Sequence, residues 1–208
     1  MGERLPQCER GRAPRPGRRR VLCQLGAALL GCATSRLVPA QRHAANAVLL
    51  VASANLRGSI FAASVVLVLR APGEDTIGVI VNRPGGAMPP GLVLPEPDGR
   101  LPGTYRGGPL SPGAPFAIAE VDQAVTGTLE VTGTIRFAAG PAGVRALLAG
   151  AGAGRSKVFL GYAGWAPGQL AREIAAGFWS VHAVMPQHLF DPEPADQWMR
   201  LSGATQAI

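Results

Sequence analysis

Gly161-Tyr162-Ala163-Gly164-Trp165-Ala166-Pro167-Gly168-Gln169-Leu170-Ala171-Arg172-Glu173-Ile174 is the densest stretch of the chain. It reads as a strand end, a glycine-hinged turn, and a helix with Pro167 in its first turn. Gly161, Gly164 and Gly168 allow backbone conformations or close approaches that a Cβ forbids. Tyr162 and Trp165 bring large apolar area with polar tips. From the residues alone two readings stand: a structural corner packed by its aromatics, and a ligand or partner surface.

Working outward, residues 157–162 are predicted to be the strand that enters this corner. A helix over 141–149 precedes it, with Val144, Leu147 and Leu148 on one face, closed by glycines at 150–154. After the turn a helix over 167–176 turns Leu170, Ala171 and Ile174 to the core. A strand over 178–184 and two short helical turns around Asp191-Pro192 complete the C-terminal end. Upstream, short Val- and Leu-rich runs at 47–53, 62–70 and 76–82 read as buried strands. Residues 84–115 are crowded with Pro and Gly and read as a loop, followed by a strand over 116–121. The near-repeat Val125-Thr126-Gly127-Thr128-Leu129 and Val131-Thr132-Gly133-Thr134-Ile135 reads as two β segments with turns. Strands come first and helices late, without regular βαβ alternation, which predicts a single compact α+β domain over 45–208.

Residues 1–44 form a different object. The formal charge of +7 belongs entirely to the first fifth of the chain: residues 1–45 hold nine Arg and two Glu, so the remaining eleven basic and eleven acidic side chains cancel. A body without surplus cations lacks what a duplex-binding domain needs to displace counterions, so no nucleic acid is expected on it. The leader pairs an arginine run, Arg18-Arg19-Arg20, with the apolar segment 21–33, too short to span a bilayer and of the length of a signal-peptide core. Arg18-Arg19-Arg20-Val21-Leu22 resembles a twin-arginine export signal. Val38-Pro39-Ala40 offers a cleavage site after Ala40, and Leu29-Leu30-Gly31-Cys32 a weaker lipobox that would anchor the protein through Cys32. The expectation is export to the periplasm or envelope, with membrane attachment only if Cys32 is acylated. The alternative is a cytoplasmic protein with a basic tail. All three cysteines lie in this leader, so the body has neither disulfides nor a thiolate metal site.

Three constellations could carry chemistry. Glycines at 150, 152 and 154 close a helix instead of opening one, the reverse of a dinucleotide-binding turn, and read as a cap. Ser111 with His182 or His188 would make a hydrolase-like pair, but Ser111 is not in a G-x-S-x-G elbow and Pro112 removes an N–H that an oxyanion hole would use. His182, His188, Asp191 and Glu193 are ligand types for a metal, yet their spacing favours surface and capping roles. No metal or cofactor is expected.

The opening stretch is similar to the signature of the YqgE/AlgH family, GYAGW-x-x-GQL-x-x-E-I. The resemblance extends to Trp179, Leu189-Phe190-Asp191 and Trp198. Upstream it takes in residues 61–66, Gly78 to Pro84 (including Asn82), and Gly107-Gly108-Pro109, all in the family's order and spacing. It implies an α+β fold with a mixed, barrel-like β-sheet flanked by helices, and a regulatory or binding role with no established catalytic activity. This chain departs by its long leader, and by Glu120 where the family often has a histidine. The residues proposed for the working surface are Asn82, Pro84, Gly107, Gly108, Pro109, Gly161, Tyr162, Gly164, Trp165, Gly168, Gln169 and Glu173. The expectation is a non-catalytic binding module acting on a small ligand or a protein partner.

Overall fold

The computed structural model describes residues 47–70, 76–85, 104–152 and 154–203. The leader, with Cys32 and Ala40, lies outside them, as does most of the expected loop. Among the described residues, nine strands form one sheet. In chain order they are β1 (Ala47–Ala52), β2 (Val65–Arg70), β3 (Thr76–Ile80), β4 (Thr104–Arg106), β5 (Leu110–Glu120), β6 (Leu129–Thr132), β7 (Ile135–Ala139), β8 (Ser156–Trp165) and β9 (Trp179–His182). The helices are α1 (Gly140–Ala151), α2 (Gln169–Ala175), α3 (Pro186–Leu189) and α4 (Gln197–Ser202). The sheet order is β6-β7-β5-β8-β3-β2-β1-β9, with β4 laid against β8. All pairs are antiparallel except β4 with β8, so a single parallel pair makes the sheet mixed.

The sheet curls into a half-barrel because its two halves share one long strand. The first part of β8 pairs with β5 through Ser156 to Leu160, and its last part pairs with β3 through Ala163 to Trp165. Residues from both halves then meet on one inner face: Leu49, Val65, Leu67 and Val79 from one, Phe116, Ile118, Phe137 and Phe159 from the other. Strand alternation sends the intervening residues outward. Ala117, Ala119 and Val158 pack under α1 through Val144, Leu147 and Leu148. Leu50, Val66, Val68 and Ile80 pack with Trp165 and Trp179 under α2 and Phe61. The C-terminal hook of α3 and α4 closes the inner face with Leu189, Phe190, Trp198 and Leu201. The Trp198 indole donates to the Ala52 carbonyl at 2.7 Å, pinning α4 to β1.

Several sequence expectations need correcting. The loop over 84–115 contains β4 and the start of β5. Proline is tolerated there because β5 begins irregularly, with a register shift between Leu110 and Pro115 that leaves no ladder N–H wanting. The near-repeat does fold as two β segments with turns, β6 and β7 pairing as a hairpin with turns at residues 125–128 and 133–134. The expected strand over 62–70 starts only at Val65, since residues 61–63 form a turn. Ala171 faces solvent, and α2 buries only Leu170 and Ile174 in part. The glycines after α1 do form its end, with Gly152 as the cap.

The decisive local feature is a backbone crossing. Past Gly78 and Ala163, β3 and β8 diverge, and the segment 104–108 fills the fork. Arg106 N–H donates to Arg83 O, Gly107 N–H to Leu160 O, and Ile80 N–H to Gly107 O, all within 2.9 Å. A Cβ on Gly108 would sit 2.2 Å from the Tyr162 carbonyl carbon, and one on Gly107 would sit 2.3 Å from Gly161 O. Gly161 itself has φ +75° and would place a Cβ 2.6 Å from Gly108 O. By contrast Gly164 has no left-handed φ, and its added Cβ would meet only the side-chain ends of Leu110 and Tyr162, at 3.2–3.3 Å. Gly108→Ala is therefore expected to cost about 3 kcal/mol or more, because backbone cannot yield as a side chain does. Gly164→Ala should cost under about 1 kcal/mol. Chemical denaturation of the two variants checks this, and equal losses would contradict the crossing.

Candidate functional site

The signature stretch is laid out differently from the expected corner. The strand does not end at Tyr162: Gly161 absorbs the kink and β8 continues to Trp165. The tight turn is residues 166–168, Gly168 caps α2 with φ +74°, and Pro167 lies outside the helix. Trp165 is buried at the end of the strand and directs its indole to Glu173, one turn into α2. The Glu173 carboxylate accepts from Trp165 Nε1 (2.9 Å), Trp179 Nε1 (2.9 Å) and Gln169 Nε2 (2.8 Å). Gln169 Oε1 in turn accepts from Ala166 N–H. Trp165 and Trp179 stand edge to face, and Phe61 packs on both. Burial would raise the Glu173 pKa, but the donations from Trp179, Gln169 and Trp165, helped by Arg172, outweigh it and hold the carboxyl below the ordinary value.

Asn82 and Pro84 also serve backbone. Buried Asn82 accepts from Val65 N–H (2.8 Å) and donates to Ala63 O (3.0 Å). Arg83 donates to Ala62 O and to the buried Ser64 hydroxyl, both at 2.9 Å. These bonds hold Ala63 at φ +54°, a conformation that costs a non-glycine residue about 1–3 kcal/mol. Pro84 bridges to Tyr105 beside the crossing. The structure thus brings the two glycine motifs together, Gly107-Gly108-Pro109 against Gly161-Tyr162, and spends their polar groups on the fold.

The other candidates are separated. Ser111 is exposed, with φ +43°, and no hydrogen bond joins it to His182 or His188. His182 Nε2 lies instead 3.0 Å from Ser180 Oγ, two residues along the same strand. Among the described residues no three His, Cys, Asp or Glu side chains are placed to hold a metal. Glu120 forms a two-pronged pair with Arg155, whose hydrogen bond keeps the carboxylate pKa low against the opposing effect of burial.

Two features escaped the sequence reading. A pocket of about 490 Å³ lies in the C-terminal hook, lined by His188, Asp191, Glu193, Gln197, Arg200 and Leu201 among others. Arg200 pairs with Asp191 and donates to Glu193 O. Gln197 is 1% exposed; its Nε2 donates to His188 O, while its Oε1 and His188 Nδ1 are buried without partners. The second feature is Lys157, the only lysine of the chain. It is buried on the inner face with Nζ 4.3 Å from the Tyr105 ring centroid and 3.5 Å from Val81 O. Desolvation lowers its pKa to about 8, against the opposing pull of Asp191. Burial and Asp191 raise that of Tyr105. The sequence did hold a signal: one lysine among nineteen arginines, on an otherwise apolar strand. An arginine there could not shed its charge.

Two substitutions probe these groups. Glu173→Ala leaves two buried indole N–H groups unpaired and should cost about 2–4 kcal/mol. Because the folded carboxyl is the more acidic, its contribution is present above the unfolded pKa and fades as pH falls through the folded one. Acid unfolding of wild type and variant should therefore converge. Lys157→Met should stabilise the protein by about 1–3 kcal/mol at neutral pH, where a charged amine is buried without a carboxylate bond. Between pH 8 and 10.5 the folded amine is neutral while the unfolded one stays protonated, so wild-type stability rises with pH and the advantage of the variant shrinks. A pH-independent difference would contradict the assignment.

Comparison with known proteins agrees with this architecture. The AlgH-like family model (DUF179) matches residues 49–206. A UPF0301 protein of Methylococcus capsulatus is 34% identical over 155 residues, covering 72% of this chain and 85% of the relative. One of Afipia carboxidovorans is 32% identical over 167 residues, covering 73% and 79%. The solution structure of the AlgH protein from Pseudomonas aeruginosa superposes with a TM-score of 0.59 at 25% identity, over 78% of this chain and 89% of that one. A crystal structure of a Corynebacterium diphtheriae protein gives 0.55 at 25% identity, over 75% and 84%. With its half-barrel sheet and the signature that builds it, the chain belongs to the AlgH-like family.

Proposed function

We propose that this protein is a non-catalytic binding module of the cell envelope whose ligand site is the pocket between α3 and α4. One contrast carries the reading. Glu173, the titratable centre of the signature, already accepts three N–H donors from its own corner, two on Oε2 and one on Oε1. Gln197 Oε1 and His188 Nδ1 are buried on the pocket wall with no partner. A buried polar atom left unpaired costs about 1–3 kcal/mol, so a fold that keeps two of them beside a pocket gains from a ligand that supplies the missing bonds. Pocket volume is within the range of small-molecule sites. The envelope location rests on the leader, with its arginine run, its thirteen-residue apolar segment and the candidate cleavage site Val38-Pro39-Ala40.

Ligand-observed NMR of the folded protein against a set of small fragments tests the binding role. Hits should be lost in Gln197→Met and kept in Ser111→Ala. Turnover of an activated ester that disappears in Ser111→Ala would favour a hydrolase instead. For location, fractionation should place a protein beginning at Gln41 outside the cytoplasm, and replacing Arg18 and Arg19 with Lys should block its export. Full-length chain found only in the cytosol would overturn the envelope assignment.

A further inference from the structure

The hook that carries the pocket differs in charge from the rest of the body. Residues 186–202 hold Asp191, Glu193 and Asp196 against Arg200 alone, a net of −2, in a body whose charges sum to zero. An acidic cluster is not a site by itself, but here it lies beside a buried side chain that wants a donor. Gln197 is 1% exposed, and the bond from its Nε2 to His188 O, across nine residues, fixes which end of the amide is which. Oε1 is therefore the free end, and it is an acceptor only. Asp191 is occupied on both oxygens, Oδ1 by Glu193 N–H and Oδ2 by Arg200. The Glu193 carboxylate is left with one loose contact, 3.9 Å from Arg200, and is mostly exposed at the rim. The unfilled positions are thus an amide oxygen inside, a ring nitrogen inside, and a carboxylate at the mouth.

From this arrangement, and resting on the pocket as the binding site, we infer that the ligand is a small organic cation with a primary ammonium group. The ammonium N–H groups donate to Gln197 Oε1, its charge is balanced by Glu193, and Leu201 with the rest of the wall covers its carbon chain. Three N–H donors on one nitrogen match an amide oxygen and a carboxylate, whereas acetate has no donor to give and phosphate brings its negative charge against Glu193. A quaternary ammonium carries the charge without any donor and separates charge from hydrogen bonding.

The test uses the full-length, 15N-labelled protein with putrescine as probe, and tetramethylammonium, inorganic phosphate and acetate beside it. The Gln197 side-chain amide signal, assigned by its loss in Gln197→Met, is followed by NMR, and affinities are measured by calorimetry. Putrescine should shift that signal, and tetramethylammonium should bind at least tenfold more weakly. Glu193→Gln, a change at an exposed side chain that leaves the core intact, should weaken putrescine about threefold to tenfold. Equal binding of tetramethylammonium, or insensitivity to Glu193→Gln, overturns the ammonium assignment. A shift of the Gln197 signal by phosphate or acetate, and not by putrescine, also overturns it but leaves the pocket as a binding site. If fragments and ions alike leave the Gln197 signal unmoved, the pocket is no site and both readings fall.

Discussion

The fold depends on two backbones passing within contact distance at Gly107-Gly108 and Gly161-Tyr162. Wherever strands β3 and β8 must separate for the sheet to curl, their inner edges lose partners, and unpaired backbone inside a core is expensive. The segment 104–108 supplies those partners, bonding to Leu160 on one side and to Ile80 and Arg83 on the other. It can do so only because Gly107, Gly108 and Gly161 carry no Cβ at the crossing. The half-barrel, the shared inner core and the seat of the C-terminal hook all follow from that local absence of side chains.

The polar centre at Glu173 plays the matching role on the outer face. Two tryptophans there bury large apolar area, but each brings an indole N–H that must find an acceptor. One carboxylate, one turn into α2, serves both and also Gln169, which closes the turn before the helix through Ala166. Strand β8, helix α2 and edge strand β9 are therefore fixed to one another through one charged group. A signature that sets three glycines beside a tyrosine, a tryptophan and a glutamate looks like a binding site in sequence because the same residue types serve both purposes.

What could be read in the sequence followed from periodicity and from the family motifs. The strands at 47–52, 65–70 and 76–80, the α1 face of Val144, Leu147 and Leu148, and the two turns around Asp191 have short-range causes and were legible. The crossing was not, because Gly107 and Gly161 are 54 residues apart and nothing local says which glycine meets which. Hence Gly164 looked as constrained as Gly161, although only Gly161 has a left-handed backbone. The strand pieces at 104–106 and 110–115 were hidden by proline, which reads as a breaker unless the bulge that tolerates it is known. Nor was the Gln197 pocket legible, since its meaning lies in the unpaired state of one oxygen.

Charge shows the same limit from another side. A body with eleven basic and eleven acidic groups has no bulk surplus for nucleic acid, yet a zero sum says nothing of how the charges are laid out. Arg83, three residues past β3, lies opposite Arg106 of β4, and neither has a carboxylate partner among the described residues. Burial and the neighbouring Arg106 pull the Arg83 pKa below its usual value. The C-terminal hook, meanwhile, gathers three acids around one arginine. Neutrality here is the sum of segregated patches. The lone lysine fits the same logic: where a cation is buried under Tyr105, the chain places its one lysine, whose amine can give up the charge at accessible pH, and keeps arginine for positions that stay charged.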